Sequence, residues 1–200
     1  LSDYRPKVAI LVSTFDHCLA DLLYRHRSGE LACDIIYVIG SHPAAQNLVE
    51  FHGVPFHLLA DTQNKPASER EIADLLGQDV DVIVLARYMQ ILSPEFVGHY
   101  LLRLINIHHS FLPAFVGAKP YHRAFERGVK LIGATSHYVT AVLDEGPIIE
   151  QDTVRVSHRD TVEDMMRKGR DLEKVVLSRA VRSHLENRVL VYQNKTVVFA

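Results

Sequence analysis

The sequence predicts an α/β fold with a doubly wound, mostly parallel sheet and antiparallel edge strands. Through the first half of the chain, apolar runs of strand length alternate with amphipathic segments of helix length, which is typical of a parallel sheet covered on both faces. In the second half, two strand-like runs are joined by turn residues, which favours an antiparallel hairpin. With 200 residues, 48% of them hydrophobic, we expect one domain spanning residues 1–200.

Three long apolar runs and one short run are the predicted strands of the first half, because strands buried on both faces lack alternation. These strands are Val8–Ser13, Ile35–Ile39, Val54–Leu58 and Val80–Ala86. The segments between and after them have apolar residues at helical spacing and helix-end residues such as Asp16, Gly77 and Ser93. The predicted helices are Asp16–Arg27, Ala44–Phe51, Ser68–Leu76 and Pro94–Leu102.

The second half opens with an apolar strand that begins at Leu104 and continues with two hairpins and a long helix. The long helix shows an amphipathic stripe, a capping-box pattern at Asp160 and Glu163, and a candidate bend at Gly169. The predicted strands are Leu131–Val139, Ile148–Val156, Val189–Tyr192 and Thr196–Phe199, and the predicted helices are Tyr121–Arg127 and Asp160–Asn187.

Composition excludes several classes of partner. The formal net charge of −2 gives no reason to expect nucleic acid or a membrane surface as a partner. No apolar run approaches the ~20 residues that span a bilayer, and the N-terminus lacks the layout of a secretory signal. Two cysteines, Cys18 and Cys33, favour a reducing compartment without a disulfide, and therefore the cytoplasm. Because there is no initiator Met, we expect a trimmed piece of a longer protein.

Asn106 and His108 are the first candidate site residues. Side chains at i and i+2 of a strand share a face, so the amide and the imidazole point the same way. The amide can donate a hydrogen bond to a developing oxyanion, and the imidazole exchanges protons near neutral pH. Ligands of parallel sheets bind beyond the carboxyl ends of the strands, where this pair is expected. We therefore predict attack on a carbonyl; the alternative is a polar pair that satisfies loop backbone groups.

Asp144 is the third candidate, in the turn-like stretch Asp144-Glu145-Gly146-Pro147. The functional interpretation is that its carboxylate orients His108 or the attacking water and handles a proton. The alternative is that it merely stabilises the turn, which is the commonest reason for such a composition. Only the fold can bring Asp144 close to His108, so the sequence leaves both interpretations open.

Metal and phosphate sites are not predicted. The 12 histidines show no metal-ligand spacing, and the adjacent His108 and His109 are expected to point to opposite sides of a strand. No glycine lies between Lys7 and Arg27, whereas a phosphate cradle needs glycines so that backbone N–H groups can close around the anion. We therefore expect no metal ligands and no dinucleotide or P-loop site.

The segment after the third long strand is a candidate pocket wall. Arg87-Tyr88-Met89-Gln90-Ile91-Leu92 is expected at the carboxyl edge of the sheet, where an apolar, backbone-rich segment can line the pocket of a flat ligand. The alternative is plain core packing, which we favour for Ile91 and Leu92 when they are considered alone.

Several motifs together carry a family resemblance. They are Asn106-Ile107-His108, Ser110-Phe111-Leu112-Pro113, Gly117-Ala118 and Asp144-Glu145-Gly146-Pro147-Ile148. From about Lys7 to the end of the chain, the sequence resembles the formyltransferase family that uses 10-formyltetrahydrofolate. Within that family it is most similar to the branch that hydrolyses this compound to formate and tetrahydrofolate, as the stretches Asp16-His17-Cys18-Leu19, His108-His109, 117–122 and 133–139 indicate.

The resemblance implies a formyltransferase fold, which is Rossmann-like, with 10-formyltetrahydrofolate as substrate and no prosthetic group. It implies that Asn106, His108 and Asp144 are the catalytic residues. It also implies that two segments bind the pterin, namely Met89, Gln90, Ile91 and Leu92, and Val139, Thr140, Ala141, Val142 and Leu143. Because the family frequently self-associates, we expect a homo-oligomer. An N-terminal ACT-like regulatory domain is usual in the hydrolase branch, and we expect it to be absent from residues 1–200.

Three functions compete at this point. In the leading hypothesis water attacks the formyl carbon, Asn106 and His108 stabilise the oxyanion, and Asp144 positions the water and shuttles its proton. In the second, a formyltransferase of the glycinamide ribonucleotide type uses an amine instead of water, although the glycine-free turn argues against a phosphate-bearing acceptor. In the third, the chain is a folate-binding relative without turnover.

Overall fold

The computed structural model describes residues 4–114 and 119–199, so Gly117 and Ala118 lie outside the described residues. The strands are β1 (Lys7–Val12), β2 (Asp34–Gly40), β3 (Phe56–Leu58), β4 (Val82–Leu85), β5 (Leu104–His108), β6 (Leu131–Tyr138), β7 (Ile148–Arg155), β8 (Val189–Tyr192) and β9 (Lys195–Val198). The helices are α1 (His17–Arg27), α2 (Gln46–Phe51), α3 (Lys65–Leu76), α4 (Pro94–His99), α5 (Pro120–Arg127) and α6 (Val162–Leu185). A short 3₁₀ turn, Pro43–Ala45, precedes α2.

In the described part of the chain, seven strands form one sheet in the order β3-β2-β1-β4-β5-β6-β7. All pairs from β3 to β5 are parallel, whereas β6 is antiparallel to both β5 and β7. Helical crossovers return the chain to the same end of the sheet for each parallel strand, but a non-helical loop joins β6 to β7 and therefore reverses the direction. Strands β8 and β9 pair as a separate hairpin. The predicted fold class is confirmed.

Alternate residues of β1, an interior strand of the sheet, enter two different apolar clusters. Val8, Ile10 and Val12 pack with residues of α1 and α6 on one face, while Ala9 and Leu11 pack with α3 and α4 on the other. This explains the continuous apolar runs in the first half, because a strand covered on both faces has no solvent side. The rigid double-sided core leaves the carboxyl ends of β4 and β5 as the base of a crevice.

Two predicted helix boundaries are wrong, the start of α3 and the end of α4. Helix α3 begins at Lys65, because Asn64 accepts a hydrogen bond from the Ala67 N–H and Pro66 occupies the first turn. Helix α4 ends at His99, before the predicted Leu102, a residue with the positive φ of 58°. Helix α1 begins after Asp16, as expected, but the Asp16 side chain makes no capping hydrogen bond.

The capping box of α6 is also one residue away from the prediction. Thr161 Oγ1 accepts from the Asp164 N–H, and the Asp164 carboxylate accepts from the Thr161 N–H, so Asp160 and Glu163 are not the pair. Asp160 instead accepts from the Ser157 N–H and the Lys168 ammonium. Both candidate boxes have acidic residues three positions on, but only Thr161 has the hydroxyl that a capping box uses.

Two further observations concern the cysteines and the helices. Cys18 and Cys33 are both buried free thiols, as the composition predicts. Among the helices of the described residues, none combines the length and the apolar character that a bilayer crossing needs.

Candidate active site

Strand β5 places Asn106 and His108 on the same face, at the carboxyl end of the parallel part of the sheet. Asn106 pairs in register with Leu85 of β4 on one side and with His137 of β6 on the other. The neighbouring residues Ile105 and Ile107 are buried in the apolar cluster on the opposite face. The alternation inferred from the sequence therefore holds, and both polar side chains line one pocket.

Asp144 lies in the loop between β6 and β7, and the fold brings it to His108. Its Oδ2 lies 3.3 Å from His108 Nδ1, and its Oδ1 lies 3.7 Å from His137 Nε2. Asp144 has a positive φ of 57°, which is uncommon for a non-glycine residue and is tolerated by Asp more readily than by most. Of the two interpretations left open by the sequence, the arrangement favours the one in which Asp144 orients His108.

The position of Gly146 explains how closely the loop turns at Asp144. A Cβ at residue 146 would lie 1.7 Å from the carbonyl oxygen of Tyr138, so only glycine fits there. Outside this contact, the loop is tied to the second hairpin, because Asn194 Nδ2 donates to the Glu145 carbonyl at 2.9 Å. Thr196 Oγ1 donates to the Ile148 carbonyl at 2.5 Å. Backbone packing on one side and side-chain hydrogen bonds on the other thus hold the Asp144 backbone.

The two histidines lower the pKa of Asp144 well below its ordinary range. The contact with His108 is the largest cause, the contact with His137 is the next, and both outweigh the opposing effect of burial. With Nδ1 of His108 directed at the carboxylate, its Nε2 is buried and has no hydrogen-bond partner within the described residues. An unpartnered buried nitrogen in a pocket is available to a ligand atom.

His137 is a site residue that we did not single out from the sequence. Its Nδ1 lies 2.9 Å from the Tyr138 carbonyl, which can only accept, so Nδ1 bears a proton. Its Nε2 lies 3.3 Å from Nδ2 of Asn106 and therefore fixes which way the amide faces. In the β5–β6 ladder, residue 137 is the direct partner of Asn106. Side-chain alternation along β6 was the sequence signal that could have indicated this position.

The pocket has a volume of about 430 Å³, which lies within the range of small-molecule sites. Asn106, His108 and Asp144 are at one part of its wall. The segment after β4 contributes Met89, Gln90, Ile91 and Leu92, and the loop after β6 contributes Val139, Thr140, Ala141 and Leu143. Val142 is the exception among the predicted pterin-binding residues, because it is 56% exposed and does not line the pocket.

Large apolar side chains remain uncovered around this pocket. Met89 is 59% exposed, Ile91 is 62% exposed and Leu143 is 58% exposed. Exposed apolar surface from two facing segments is typical of a binding site for a flat, partly apolar ligand. The core-packing alternative therefore does not apply to Ile91, whereas Leu92 packs against the cluster that contains α3 and α4 residues.

A buried carboxylate stands behind the pocket. Glu173 of α6 is 1% exposed and accepts hydrogen bonds from Tyr121 Oη at 3.0 Å and His17 Nε2 at 2.8 Å. The Arg87 Nε lies 3.6 Å from the same carboxylate. Burial by itself raises the pKa of Glu173, but the His17 hydrogen bond and the Arg87 charge outweigh it and leave the pKa below its ordinary value. Glu173 is thus a paired anion.

Gly169, the candidate bend of α6, instead makes room for a packed side chain. A Cβ at residue 169 would lie 1.9 Å from the hydroxyl oxygen of Tyr121. The glycine therefore makes room for the Tyr121 ring, whose hydroxyl reaches Glu173 one turn further along α6. The sequence signal for Glu173 was a carboxylate among the apolar positions of the helix stripe.

The same cluster contains atoms that could ligate a metal. Within the described residues, donor atoms of His17, Cys18 and Glu173 lie within 4.8 Å of one another. However, His17 and Glu173 already bond each other, the Arg87 cation adjoins the carboxylate, and burial raises the pKa of the Cys18 thiol. A cation would compete with Arg87 and would need the thiolate, so we interpret this cluster as an ion-pair network.

His109 does not lie where the sequence predicts. It lines the same pocket as His108, and the two rings stack with centroids 5.2 Å apart at 27°. Strand β5 ends at His108, so the alternation of side chains no longer applies to the next residue. The error came from extending a strand rule into a loop.

The comparisons with known proteins agree with this geometry. A family model described as formyl transferase matches residues 6–181. A formyltetrahydrofolate deformylase of Synechocystis is 60% identical over the whole chain and 70% of its own length. A crystal structure of a formyltetrahydrofolate deformylase from Pseudomonas syringae is 57% identical with a TM-score of 0.95, covering 98% of this chain and 67% of that one.

Transferases of the same fold are more distant. The crystal structure of glycinamide ribonucleotide transformylase 1 from Symbiobacterium toebii is 30% identical with a TM-score of 0.92, covering 98% of this chain and 95% of that one. The chain spans 64% to 70% of the length of the curated relatives that it matches. From the match over residues 6–181 and the 60% identity, the chain belongs to the formyl transferase family and groups within it with the formyltetrahydrofolate deformylases.

Proposed function

We propose that this chain hydrolyses 10-formyltetrahydrofolate to formate and tetrahydrofolate. The observation that supports this most directly is the buried, unpartnered Nε2 of His108, in a ring held from its other nitrogen by Asp144 beside the Asn106 amide. A group that is held in this way can donate to an oxyanion without reorganising when the charge develops. The relatives at 60% and 57% identity are named for the same reaction.

The proposed reaction begins when the oxygen of water bonds to the formyl carbon. The electron pair of the carbonyl moves to its oxygen, which accepts hydrogen bonds from Asn106 Nδ2 and from Nε2 of protonated His108. The amide has two N–H donors, so one remains for the oxyanion while the other faces His137. Collapse of the intermediate breaks the bond between carbon and N10, and the proton that the attacking water loses passes to N10 as tetrahydrofolate leaves.

In this proposal, Asp144 orients His108. Its carboxylate faces His108 and His137, so it stabilises the proton on His108 and fixes the direction in which Nε2 points. Its lowered pKa keeps the carboxylate ionised beside the two histidines, and the proton shuttle expected from the sequence stays a prediction. The carboxylate can still help to position the attacking water.

The folate would bind between the segment after β4 and the loop after β6. Met89 and Ile91 on one side and Leu143 on the other offer the apolar surface that a pteridine ring covers. The main-chain groups of these irregular segments are available for the polar edge of the ring. Lys119 also lines this pocket and can face an anionic part of the ligand.

Transfer of the formyl group to an amine is the second candidate, because a transformylase shares this fold at a TM-score of 0.92. Its phosphate-bearing acceptor needs an anion site. The turn after β1 offers no glycine there, and the Arg87 guanidinium that adjoins it lies 5.6 Å from the Phe15 ring and near Glu173. The Arg87 Nε has no hydrogen-bond partner among the described residues, but the Glu173 carboxylate 3.6 Å away offsets its charge, so we do not assign a phosphate site here. The identity of 30%, against 60% for the deformylase, agrees with hydrolysis.

The deciding experiment incubates the purified chain with 10-formyltetrahydrofolate alone and measures formate and tetrahydrofolate. We expect both products in equal amounts without any amine, and no increase in turnover when glycinamide ribonucleotide is added. Turnover that depends on the amine would instead establish a transferase. Folate binding without either product would establish the non-catalytic alternative.

The cytoplasm and a homo-oligomeric state remain predictions of the sequence. The free thiols of Cys18 and Cys33 are compatible with a reducing compartment. Sedimentation of the purified chain at several concentrations measures its oligomeric state.

A further inference from the structure

His109 occupies a position in the pocket that the reaction described so far does not use. Its ring stacks on His108, 5.2 Å between centroids, and it lies on the pocket wall with Asn106 and Asp144. The other ring contact is with Tyr121, at 6.2 Å and 40°. The residue follows the catalytic strand directly, so its backbone is positioned by the same sheet.

The ring nitrogens of His109 make no hydrogen bond within the described part of the protein. Within residues 4–114 and 119–199, neither nitrogen takes part in a hydrogen bond to another residue. The ring is only partly buried, and its open side is the pocket. A half-buried imidazole without a protein partner can accept a hydrogen bond from a molecule in the pocket.

The surroundings keep this imidazole neutral. Burial is the largest cause of its lowered pKa, which is about 4, and the positive charge of Arg87 is the second. Glu173, His108 and Asp144 also act on His109, with the two carboxylates opposing the shift. The titratable or charged side chains that face it from the packed elements are Arg87 after β4, His108 of β5, Lys119 and Tyr121 at α5, Asp144 of the β6–β7 loop and Glu173 of α6.

We propose that His109 is a further catalytic residue, which accepts a hydrogen bond from the attacking water and takes its proton as the C–O bond forms. This rests on the hydrolytic function proposed above. Two adjacent histidines then have opposite roles. His108, paired with Asp144, donates to the oxyanion, while His109, which has no carboxylate partner in the described part of the chain, accepts from the nucleophile.

Every proton in this step is accounted for. Water gives one proton to His109 when its oxygen bonds to the formyl carbon. The imidazolium that forms is adjacent to Arg87, so it readily gives the proton up, and the proton replaces the formyl group on N10 as the carbon–nitrogen bond breaks. No oxidant, reductant or further reactant is needed.

Asp144 is a weaker candidate for this base. Both of its oxygens already face histidines, whereas the His109 ring nitrogens have no hydrogen-bond partner among the described residues. Glu173 is also excluded as a direct base, because it is 1% exposed and engaged by His17 and Tyr121. His109, whose ring stacks on the catalytic imidazole at 5.2 Å between centroids, is thus an acceptor without a hydrogen-bond partner among the described groups at the pocket.

The test compares His109→Leu, which removes the acceptor, with His109→Gln, which keeps a neutral acceptor that is not a useful base. The matched control is His158→Leu at an exposed position. We expect both His109 variants to lose about 10²- to 10⁴-fold in kcat, the usual range for a positioned base, while KM for the folate changes less than about threefold. The control keeps wild-type kcat.

A pH profile separates this role from a structural one. Wild-type kcat should stay level down to about pH 5.5, because His109 remains neutral there. Arg87→Gln removes a charge that lowers the His109 pKa, so the acid loss of kcat should move to higher pH. Arg87→Lys keeps the positive charge, so its acid loss of kcat should occur at the same pH as in the wild type. In a His109→Gln background, Arg87→Gln should produce no such movement.

The outcomes distinguish the two proposals. An active wild type whose folded His109→Leu and His109→Gln variants keep kcat within about threefold overturns the role of His109 alone. The same conclusion follows if Arg87→Gln moves the acid loss equally with and without His109. A wild type that binds folate and releases no formate overturns the hydrolytic function itself.

Discussion

Oδ2 of Asp144 lies 3.3 Å from Nδ1 of His108, although one residue is in a loop after β6 and the other ends β5. The antiparallel pairing of β6 with β5 makes this contact, since the strand carries the chain back past Asn106 before the loop begins. The contact directs Nε2 of His108 into the pocket, where it has no partner among the described residues. This geometry leads to a first prediction.

Asp144→Asn should lower kcat by about 10²-fold or more, because a neutral amide no longer stabilises the proton on His108 or fixes its orientation. Formate release and folate affinity are the measurements. Glu145→Gln in the same loop is the matched control, since this exposed side chain should leave kcat unchanged. Equal activity of Asp144→Asn and the control would show that the carboxylate has no part in the reaction.

Asn106→Ala and His108→Ala should each lower kcat by about 10²- to 10³-fold, the usual cost of losing one oxyanion donor. Both side chains lie at the pocket wall, so the thermal midpoint of unfolding should change little. Formate assays and calorimetry on the same preparations check both statements. Near-normal turnover in both variants would refute their assignment as oxyanion donors.

Asn194→Ala should reduce kcat severalfold without a matching change in KM. The side chain donates to the Glu145 carbonyl at 2.9 Å, and the loss of a hydrogen bond worth about 0.5–1.5 kcal/mol loosens the loop that holds Asp144. Asn47→Ala, at an exposed helical position, is the control. If kcat is unaffected while Asn194→Ala remains folded, the hairpin does not position the loop.

Gly169→Ala should destabilise the fold by about 1–3 kcal/mol, as overpacking of a tight contact does. The new Cβ would meet the Tyr121 hydroxyl at 1.9 Å and would displace the ring from Glu173. Gly98→Ala is the matched control, because nothing lies within 4 Å of a Cβ there, and alanine favours a helix interior. Urea unfolding of the two variants should therefore show opposite changes in stability.

Glu173→Gln should cost about 3–5 kcal/mol at neutral pH, the range for breaking a buried ion pair by removing one partner. The folded-state pKa of Glu173 is lowered, so its contribution is complete above the unfolded value, 4.5, and disappears as the pH falls through the folded value. The difference in free energy of unfolding between wild type and variant should thus shrink in acid. Glu126→Gln, at an exposed position of α5, should show no such difference at any pH.

The sequence predicts most secondary elements because periodicity is local. The runs of β1, β2 and β4 are apolar throughout, and the structure covers them on both faces. Helix ends are less certain, as α6 shows, because Thr161 and Asp164 compete with Asp160 and Glu163 for the same capping geometry. The Thr161 hydroxyl and its extended backbone decide that competition.

For the candidate site, the sequence by itself determines that Asn106 and His108 share a strand face, and that Asp144 is in a tight turn. Only the tertiary structure decides that Asp144 contacts His108, that His137 orients Asn106, and that Glu173 is a paired buried anion. It also decides that His109 faces the pocket, where strand alternation has already ended. The physical reason is that alternation and capping act between neighbours in the chain, whereas contacts between distant segments depend on sheet register and on helices packed across it.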